Sequence, residues 1–423
     1  PAAAPANPRH PAGAYAAARS HRPALGQVRL QEEETERRRM LPKENHFPKA
    51  TLVGRVWRPD ANGASLVLLR GDRVVDITNR DVPTMRDLME LEDIAGYLGT
   101  VQGEDLGPLA EIAANSTEDA PENRVHLLSP ADLQVIKASG VTFAESMVER
   151  VIEEQAAGNA DLAQEIRAKV AGIIGDSLRG IVPGSDKAMK VKEVLIAEGL
   201  WSQYLEVGIG PDAEVFTKAQ PTSSVGWGAS VGLHPISSWN NPEPEIVLAV
   251  NSRGEIRGAT LGNDVNLRDV EGRSALLLGK AKDNNASCAM GPFIRVFDED
   301  YGMDDVRRAE LTLRVEGEDG FVLDGRSSMT QISRDPESIV AQTIGRHHQY
   351  PDGFMLFLGT LFAPIQDRDE EGQGFTHKVG DVVTISEPGL GMLQNTVRLS
   401  TECPEWTIGI AETMRNLAAR GLL

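Results

Sequence analysis

The sequence predicts an α+β fold that consists mainly of β-strands, and three observations support this prediction. Short apolar runs, broken by Gly, Asn and Asp as strands and turns are, occupy residues 50–77 and return after residue 215. Between residues 144 and 200, apolar residues recur at intervals of three and four, which is the spacing of amphipathic helices. A further helical pattern covers residues 405–420. We therefore expect a protein rich in strands with a few flanking helices.

The composition divides the 423 residues into three predicted regions. Residues 1–46 are rich in Ala, Pro and Arg, show no apolar periodicity and are expected to form a mobile tail. A mitochondrial transit peptide is the alternative, although the four glutamates within residues 32–36 are unusual for such a presequence. Residues 47–125 are predicted to form a small β-rich N-terminal domain, and residues 126–423 a larger domain.

Charge and cysteine content exclude some classes of partner. The formal net charge of -19 repels phosphate backbones, so nucleic acid is not an expected partner. The longest apolar stretch, residues 354–364, is too short to span a membrane and is interpreted as a buried strand. The two cysteines, Cys288 and Cys403, lie far apart in the sequence and form no disulfide or metal-binding motif. Such sparse cysteine usage fits a reducing cytoplasm.

Two glutamates mark the start of a predicted strand. Glu243 and Glu245 are two residues apart, so on an extended strand both side chains leave the same face. Pro244 between them points away and places the pair at the start of a strand or at a sheet edge, because proline lacks the amide hydrogen that a ladder requires.

A third acid joins this pair through the register of a predicted hairpin. The turn at residues 251–254 suggests an antiparallel pairing that sets Glu243 opposite Gly262. Asp264 is then a same-face neighbour of Glu243, at the roughly 7–8 Å that separates diagonal neighbours. A slip of one residue would move this acid to the other face.

Three acids on one face repel each other unless a cation neutralises them, and a hard divalent ion with oxygen ligands does so. Mg²⁺ is the expected ion, with Mn²⁺ as the alternative. Three protein oxygens leave about three octahedral positions for water or substrate, which suits a catalytic site. From spacing alone, acids that decorate a solvated strand remain the more common explanation for such a pattern.

Several motifs follow one another in a fixed order between residues 205 and 400. They are Pro242-Glu243-Pro244-Glu245-Ile246-Val247, Gly262-Asn263-Asp264-Val265-Asn266-Leu267-Arg268-Asp269, Cys288-Ala289-Met290-Gly291-Pro292, Pro351-Asp352-Gly353, Leu358-Gly359-Thr360, Gly380-Asp381-Val382-Val383 and Gly389-Leu390-Gly391. This order resembles the core signature of the fumarylacetoacetate hydrolase superfamily. The resemblance implies that residues 126–423 form the catalytic domain, a mixed β-sandwich roll of the fumarylacetoacetase C-terminal type, and that the protein is a homodimer or homotetramer.

The resemblance also assigns roles to single residues. It implies that Glu243, Glu245 and Asp264 bind magnesium. Members of the superfamily have a lysine near the metal. Counted back from the pair Gly291-Pro292, the matching residue is Lys282; counted from the preceding glycine, it is Lys280. We prefer Lys282.

Two further residues are implied to contact the substrate. Arg268 matches an arginine that does so, with a salt bridge to Asp269 or Glu271 as the alternative. Thr360 matches a threonine that holds the carboxylate end of the substrate.

Two segments are similar to the 2-keto-3-deoxy-arabinonate dehydratases of this superfamily. They are residues 140–150 and residues 214–219. The similarity implies substrate contacts for Ser146, Arg150 and Lys218 and an acid/base role for Glu214. Hydrolase members commonly carry a lid His-x-x-Glu pair, whereas here His234 is the only histidine between residues 221 and 243 and is interpreted as a hydrogen-bonding loop residue.

The implied reaction is the magnesium-dependent dehydration of a 2-keto-3-deoxy sugar acid. Glu214 would take the C3 proton, and Lys282 would share the developing oxyanion charge or protonate the departing C4 hydroxyl. A 2-keto-3-deoxypentonate would give 2-oxoglutarate semialdehyde. The alternatives are a C-C hydrolase that releases pyruvate from a 2,4-diketo acid, and a catalytically silent binding protein that has kept the fold.

Overall fold

The computed structural model describes residues 50–119, 121–143, 181–362, 366–369 and 374–423. These residues all belong to one compact unit, Pro42–Leu423. The predicted tail and the predicted substrate contacts Ser146 and Arg150 lie outside the described residues. Their structural roles therefore stay predictions.

Within the described residues the chain forms sixteen β-strands, which build two sheets. In chain order the strands are β1 (Leu52–Arg58), β2 (Gly63–Arg70), β3 (Arg73–Asp76), β4 (Glu104–Pro108), β5 (His126–Leu128), β6 (Val135–Gly140), β7 (Glu214–Ala219), β8 (Ser230–Leu233), β9 (Pro244–Val250), β10 (Ile256–Asp264), β11 (Cys288–Val296), β12 (Glu310–Glu316), β13 (Val322–Ser328), β14 (Phe354–Phe357), β15 (Val382–Glu387) and β16 (Gly391–Leu399).

The helices of the same residues are short. They are α1 (Met85–Glu90), α2 (Ile94–Thr100), α3 (Leu109–Asn115), α4 (Asp186–Ala197), α5 (Gln203–Ile209), α6 (Arg268–Glu271), α7 (Leu278–Lys282), α8 (Met303–Arg307), α9 (Pro336–Thr343) and α10 (Ile410–Ala419), with 3₁₀ turns at Ala275–Leu277 and Met329–Gln331. Of the helices in the described ranges, none combines the length and the apolar character that crossing a bilayer requires.

The larger sheet has the order β4-β3-β2-β1-β11-β10-β9-β14-β6-β7, and β5 also pairs with β1. Its pairs are antiparallel except for β14 with β6. All seven residues of β9 are buried, since this central strand is covered on both faces. Because β1 pairs with β11, the strands of the predicted N-terminal domain continue the sheet of the larger one. The predicted boundary at residue 125 stays a prediction.

The smaller sheet has the order β13-β12-β15-β16-β8 and is antiparallel apart from the pair of β16 with β8. Residues of β12 alternate strictly between exposed and buried, as expected for a sheet with one solvated face. Its strands β15 and β16 contact β10 and β11 of the larger sheet. The two sheets and their short helices confirm the predicted fold class, α+β with strands predominating.

The register of the hairpin β9–β10 differs from the prediction. The turn is one residue shorter than expected, because the amide of Asn251 donates to the carbonyl of Glu255 (3.0 Å), and a bulge at Arg257 shifts the register by one more residue. Gly262 consequently faces Glu245 instead of Glu243, so the predicted register was wrong by two residues. A shift of two keeps every side chain on its face, so the predicted grouping of the acids survives the error.

The helices also differ from prediction in their limits. The final helix begins at Ile410, five residues later than predicted, because Gly409 adopts an extended backbone and residues 404–408 are irregular. Of the buried strand expected over residues 354–364, the described residues 354–362 form a strand only in β14. Of the helical stretch predicted between residues 144 and 200, residues 144–180 lie outside the described part, and α4 follows the N-cap Ser185.

Candidate functional site

The structure brings three predicted ligands, Glu243, Glu245 and Asp264, to one place. Their carboxylate oxygens lie within 4.8 Å of one another, and all three residues are buried. Glu243 precedes β9, Glu245 lies on β9, and Asp264 ends β10, where its amide donates to the carbonyl of Glu243 (3.1 Å). Gly262 faces Glu245, and a Cβ there would lie 2.3 Å from the ring of Phe357, so only glycine fits this position.

Two lysines face these acids, and the five residues together are called the acidic centre below. Lys282 places its ammonium 2.5 Å from Oε2 of Glu243 and 3.0 Å from Oδ2 of Asp264. Lys218 places its ammonium 2.8 Å from Oδ1 of Asp264. Three carboxylates therefore share two ammonium groups, which leaves one negative charge in excess when every group is ionised.

Neutral donors fix the orientation of the two glutamates. The side-chain amide of Asn266 donates to Oε1 of Glu243 (3.0 Å) and also to Glu271 (2.7 Å). The backbone amide of Gly359 donates to Oε2 of Glu245 (2.7 Å). Because these donors come from different segments of the chain, the carboxylates are held in place by the fold itself.

The excess of acid shows in the pKa values. Burial raises the pKa of Glu243, and burial together with the charges of Asp264 and Glu243 raises the pKa of Glu245 well above its usual range. Burial alone would raise the pKa of Asp264, but the ammonium groups of Lys218 and Lys282 outweigh it and lower this pKa. Burial likewise opposes the charge of Lys282, yet the charges of Asp264 and Glu243 raise its pKa well above the usual range. Of the three acids, Glu245 is therefore the one whose ionised form is disfavoured most by burial and by its acidic neighbours.

The donor set fits a hard divalent cation. It offers oxygen ligands from three buried carboxylates, and the repulsion between them is only partly neutralised by the two lysines. An ion such as Mg²⁺ accepts carboxylate ligands and supplies the missing positive charge.

Lys218 has a setting that differs from the predicted contact with substrate. Its side chain is fully buried, and its ammonium also contacts the carbonyls of Val265 (3.2 Å) and Lys282 and the hydroxyl of Ser287 (3.4 Å). An ammonium has three hydrogens to donate, and protein oxygens surround this one. The geometry favours a role for Lys218 in holding Asp264.

The structure distinguishes the two candidate lysines near the metal. Lys282 ends α7 with its ammonium among the acids, whereas Lys280 is exposed. Burial, followed by the charge of Lys280, lowers the pKa of His234, which places Lys280 near that imidazole. The preference for Lys282 as the buried lysine therefore agrees with the geometry.

Glu214 begins β7 and pairs with Gly140 of β6. Phe216 lies two residues further along β7, and the ammonium of Lys282 lies 5.7 Å from the centre of its ring. Residues two apart on a strand share a face. Glu214 therefore lies on the same face of β7 as Phe216, whose ring is near Lys282.

Arg268 is the first residue of α6 and is buried. Its guanidinium lies 4.2 Å from the centre of the Trp239 ring. The carboxylate of Asp269, one of the two alternative partners, accepts hydrogen bonds from Ser237 (2.7 Å) and Ser238 (2.8 Å).

Thr360 and His234 occupy loops. Thr360 follows the glycine whose amide contacts Glu245, and its hydroxyl accepts a hydrogen bond from the amide of Phe362 (3.1 Å). The imidazole of His234 accepts a hydrogen bond from the amide of Ile236 (3.1 Å), which confirms its interpretation as a hydrogen-bonding loop residue.

Sequence reasoning missed two residues of this neighbourhood, Asn266 and Trp239, and it named Glu271 only as an alternative partner of Arg268. Asn266 lies two residues after Asp264 within a motif that the sequence already singled out, so its alternation with Asp264 was a usable signal. Glu271 joins through Asn266, and Trp239 through Arg268; these are contacts between segments that no local pattern reveals.

Comparison with known proteins agrees with this geometry. Residues 210–398 match the family described as Fumarylacetoacetate (FAA) hydrolase C-terminal. This segment, which contains the whole acidic centre, is similar to that family, in agreement with the order of the motifs.

The similar proteins include two dehydratases. A probable 2-keto-3-deoxyxylonate dehydratase of Haloferax volcanii is 32% identical over 194 residues, which are 46% of this chain and 63% of the relative. A 2-dehydro-3-deoxy-D-arabinonate dehydratase of Saccharolobus solfataricus is 31% identical over 188 residues, 44% of this chain and 58% of the relative. The matches therefore span about three fifths of the length of these relatives.

The fold is also that of a solved structure. A 2-keto-3-deoxy-D-arabinonate dehydratase, complexed with magnesium and 2,5-dioxopentanoate, superposes with a TM-score of 0.57 at 22% identity. The superposition covers 82% of this chain and 99% of that chain. At this level of identity the likeness is one of fold.

Proposed function

We propose that this protein is a magnesium-dependent dehydratase, a hydro-lyase, of a 2-keto-3-deoxy sugar acid, for example of a 2-keto-3-deoxypentonate to 2-oxoglutarate semialdehyde. The observation that carries the proposal is the buried convergence of Glu243, Glu245 and Asp264 with two lysines. The similar proteins of Haloferax volcanii and Saccharolobus solfataricus are named as dehydratases of such acids, which supports this reaction over C-C hydrolysis.

The charge of the acidic centre supports the class of substrate. Three carboxylates, two ammonium groups and one divalent ion carry a net charge of +1. The carboxylate of a monoanionic 2-oxo acid would bring this total to zero. Buried sites favour such compensation, because an unbalanced charge in a medium of low dielectric is costly.

Glu243, Glu245 and Asp264 would hold the Mg²⁺, which when bound supplies electrostatic stabilisation for negative charge on the substrate's 2-oxo oxygen. Lys218 would keep Asp264 in position, and Asn266 would keep Glu243 in position, through the contacts described above. Such partners fix the orientation of ligating side chains and contribute to affinity as the ligands themselves do.

Glu214 would carry the proton transfer. It would accept the proton that leaves C3 and give that proton to the C4 hydroxyl, which would depart as water and leave a double bond between C3 and C4 that later tautomerises to the aldehyde. The ammonium of Lys282, which contacts Glu243 and Asp264, would stabilise developing negative charge. Substrate contacts are proposed for Ser146, Arg150, Arg268, Lys280 and Thr360, following the resemblance.

Product identification tests this proposal. The protein is incubated with Mg²⁺ and a panel of 2-keto-3-deoxypentonates and hexonates, and the products are identified by NMR. We expect a semialdehyde without pyruvate from a pentonate. Pyruvate released from a 2,4-diketo acid would establish the C-C hydrolase instead, and Mg²⁺ binding without turnover of any of these acids would favour the silent binding protein.

We also propose that the protein is a homodimer or homotetramer in the cytoplasm. Exposed apolar side chains on or next to α10, namely Ile410, Met414 and Leu423, support association with another copy. Both cysteines are free and buried, which is compatible with a reducing compartment. Light scattering of the purified chain measures the number of copies, and a monomer at micromolar concentration would contradict the proposed association.

A further inference from the structure

The backbone amide that orients Glu245 belongs to a peptide unit that makes a second hydrogen bond. This unit joins Leu358 to Gly359, directly after β14. Its N–H donates to Oε2 of Glu245 (2.7 Å), and its carbonyl, that of Leu358, accepts a hydrogen bond from the hydroxyl of Thr142 (2.6 Å). The hydroxyl of Thr142 is therefore linked to a carboxylate of the acidic centre through a single peptide group.

The two hydrogen bonds of this peptide group strengthen each other. A hydrogen bond to the carbonyl draws electron density towards its oxygen, so the N–H of the same peptide group becomes a better donor. Both bonds are buried, and this mutual polarisation is stronger in a medium of low dielectric than in water. Thr142 therefore acts on the strength of the bond to Glu245 as well as on its position.

Close packing places the hydroxyl of Thr142 against this peptide group. Gly359 has a φ of +86°, and a Cβ at that position would collide with Oγ1 of Thr142. Only glycine therefore lets the hydroxyl lie this close and reach the carbonyl of the preceding residue. Thr142 is 3% exposed, so water competes little for its hydroxyl.

The backbone of Thr142 is held firmly as well. Its carbonyl accepts hydrogen bonds from the amide and from the hydroxyl of Ser333 (2.7 Å each). Val141, which precedes it, has a φ of +53°, in the left-handed region that a β-branched residue rarely adopts. Such strain persists only where the surrounding structure enforces it, and it is concentrated at functional sites. The position of Thr142 is thus enforced by the fold at the cost of strain in its neighbour.

We propose that Thr142 is a positioning residue for the metal ligand Glu245, acting through the backbone amide of Gly359. This inference rests on the proposed function, because it requires that Glu245 binds a divalent ion. Thr142 fixes the amide, the amide holds Oε2 of Glu245, and the carboxylate is thereby kept in place in the acidic centre. Partners of this kind contribute to metal affinity although they do not touch the metal. Thr142 acts through other groups and is not itself a catalytic residue.

Metal affinity tests this role independently of turnover. Calorimetry measures the Kd of Mn²⁺ for wild type, Thr142→Val and Thr142→Ser. Thr142→Val keeps the branched shape but loses the hydroxyl, and we expect the Kd to rise about tenfold, at the lower end of the effect of removing an outer partner of a metal ligand. Thr142→Ser keeps the hydroxyl and should restore the Kd to within about twofold of wild type.

Thr343→Val is the matched control. Thr343 is likewise 3% exposed, and its hydroxyl donates to the carbonyl of Ile339 (2.8 Å) within α9. Loss of a buried hydroxyl that donates to a carbonyl costs stability at either position, so denaturant titration should give similar decreases for the two valine variants. Only Thr142→Val should raise the Kd of Mn²⁺, which separates a positioning role from a purely structural one.

The outcomes distinguish this inference from the proposed function. A Kd for Thr142→Val within about twofold of wild type, or an equal rise in Thr343→Val, would overturn the assignment of Thr142. If Thr142→Val does not fold, Thr142→Cys replaces it, because a thiol is a weak donor; its Kd should be at least about threefold above that of Thr142→Ser, and an equal Kd would overturn the assignment. Absence of Mn²⁺ binding in the wild-type protein would overturn the proposed function as well.

Discussion

Two buried clusters of acids and cations in the described part of the chain differ in their balance of charge. In the acidic centre, three carboxylates share two ammonium groups. In the second cluster, which we call the Asp381 cluster, one carboxylate faces the fork of Arg368 (2.6 and 2.7 Å) and the imidazole of His377 (3.1 Å). Both clusters are almost completely buried.

The two balances of charge have opposite consequences for the pKa values of the acids. In the Asp381 cluster, burial opposes ionisation of Asp381, but the guanidinium of Arg368 and the imidazole of His377 lower its pKa. In the acidic centre, the pKa of Glu245 is raised well above its usual range. A satisfied cluster holds two parts of the fold together, whereas an unsatisfied one can accept another cation. Burial of charge alone therefore does not mark a binding site; the surplus of one sign does.

The largest expected effect tests the surplus of negative charge in the acidic centre directly. Glu245→Ala removes one metal ligand, and we expect turnover to fall about a thousandfold, which corresponds to ~4 kcal/mol of transition-state stabilisation. The rate of semialdehyde formation measures it. Glu255→Ala is the matched control on the same hairpin, because Glu255 is exposed and pairs with Arg253. A Glu245→Ala variant that keeps a tenth of the activity would contradict the claim that the surplus of acid marks a catalytic metal site.

A change in the Asp381 cluster should lower the stability of the fold and not the affinity for metal. Arg368→Ala leaves the buried carboxylate of Asp381 without its guanidinium partner and with only His377 and the amide of Lys378 as contacts, and we expect the free energy of unfolding to fall by about 3 kcal/mol. Denaturant titration measures the change. Mg²⁺ affinity should stay the same, and Arg314→Ala, which breaks an exposed pair with Asp324, should cost less than about 1 kcal/mol. Unchanged stability in Arg368→Ala would show that the Asp381 cluster is not structural.

The two lysines between which motif counting left a choice, Lys282 and Lys280, sharpen the account. Lys282→Ala removes the ammonium that contacts two acids, and we expect turnover to fall about a hundredfold. Lys280→Ala removes an exposed charge whose proposed role is only to contact bound substrate, so it should change kcat less than about threefold. Comparison of kcat for the two variants checks this, and a larger loss in Lys280→Ala would reverse the assignment.

The smallest expected effect is a pH dependence of the Asp381 cluster. The folded protein lowers the pKa of Asp381, so the stability that its ionised form contributes is present above the unfolded pKa of about 3.9 and is lost as pH falls through the folded pKa. Wild type should therefore exceed Asp381→Asn in stability at pH 7, and the difference should shrink towards pH 2. Denaturant titration at both pH values measures it, and a constant difference would contradict the shift.

The sequence predicted which acids converge, but not how they are aligned. Alternation along a strand is a local property, so the shared face of Glu243 and Glu245 could be predicted from their spacing. The register of β9 against β10 depends on a bulge at Arg257 and on the exact turn length, neither of which the local pattern specifies. The prediction grouped the acids correctly because its error was an even number of residues.

Contacts between distant segments lay beyond prediction for a similar reason. Lys218 was expected to meet substrate, yet a bulge in β7 at this residue and the surrounding carbonyls turn its ammonium towards Asp264. The stacking of Trp239 on Arg268 and the bond from Gly359 to Glu245 depend on how remote loops pack. Motifs identify residue types that chemistry needs, whereas the fold decides which of them touch.

Anomalous diffraction from crystals soaked in Mn²⁺ tests the central claim most directly, since this ion takes the same oxygen ligands as Mg²⁺. The account predicts one strong peak bounded by the carboxylates of Glu243, Glu245 and Asp264, with metal–oxygen distances of about 2.0–2.3 Å. No peak at that position, while Lys218 and Lys282 keep their contacts with the acids, would show that lysines alone neutralise this site and would contradict the account.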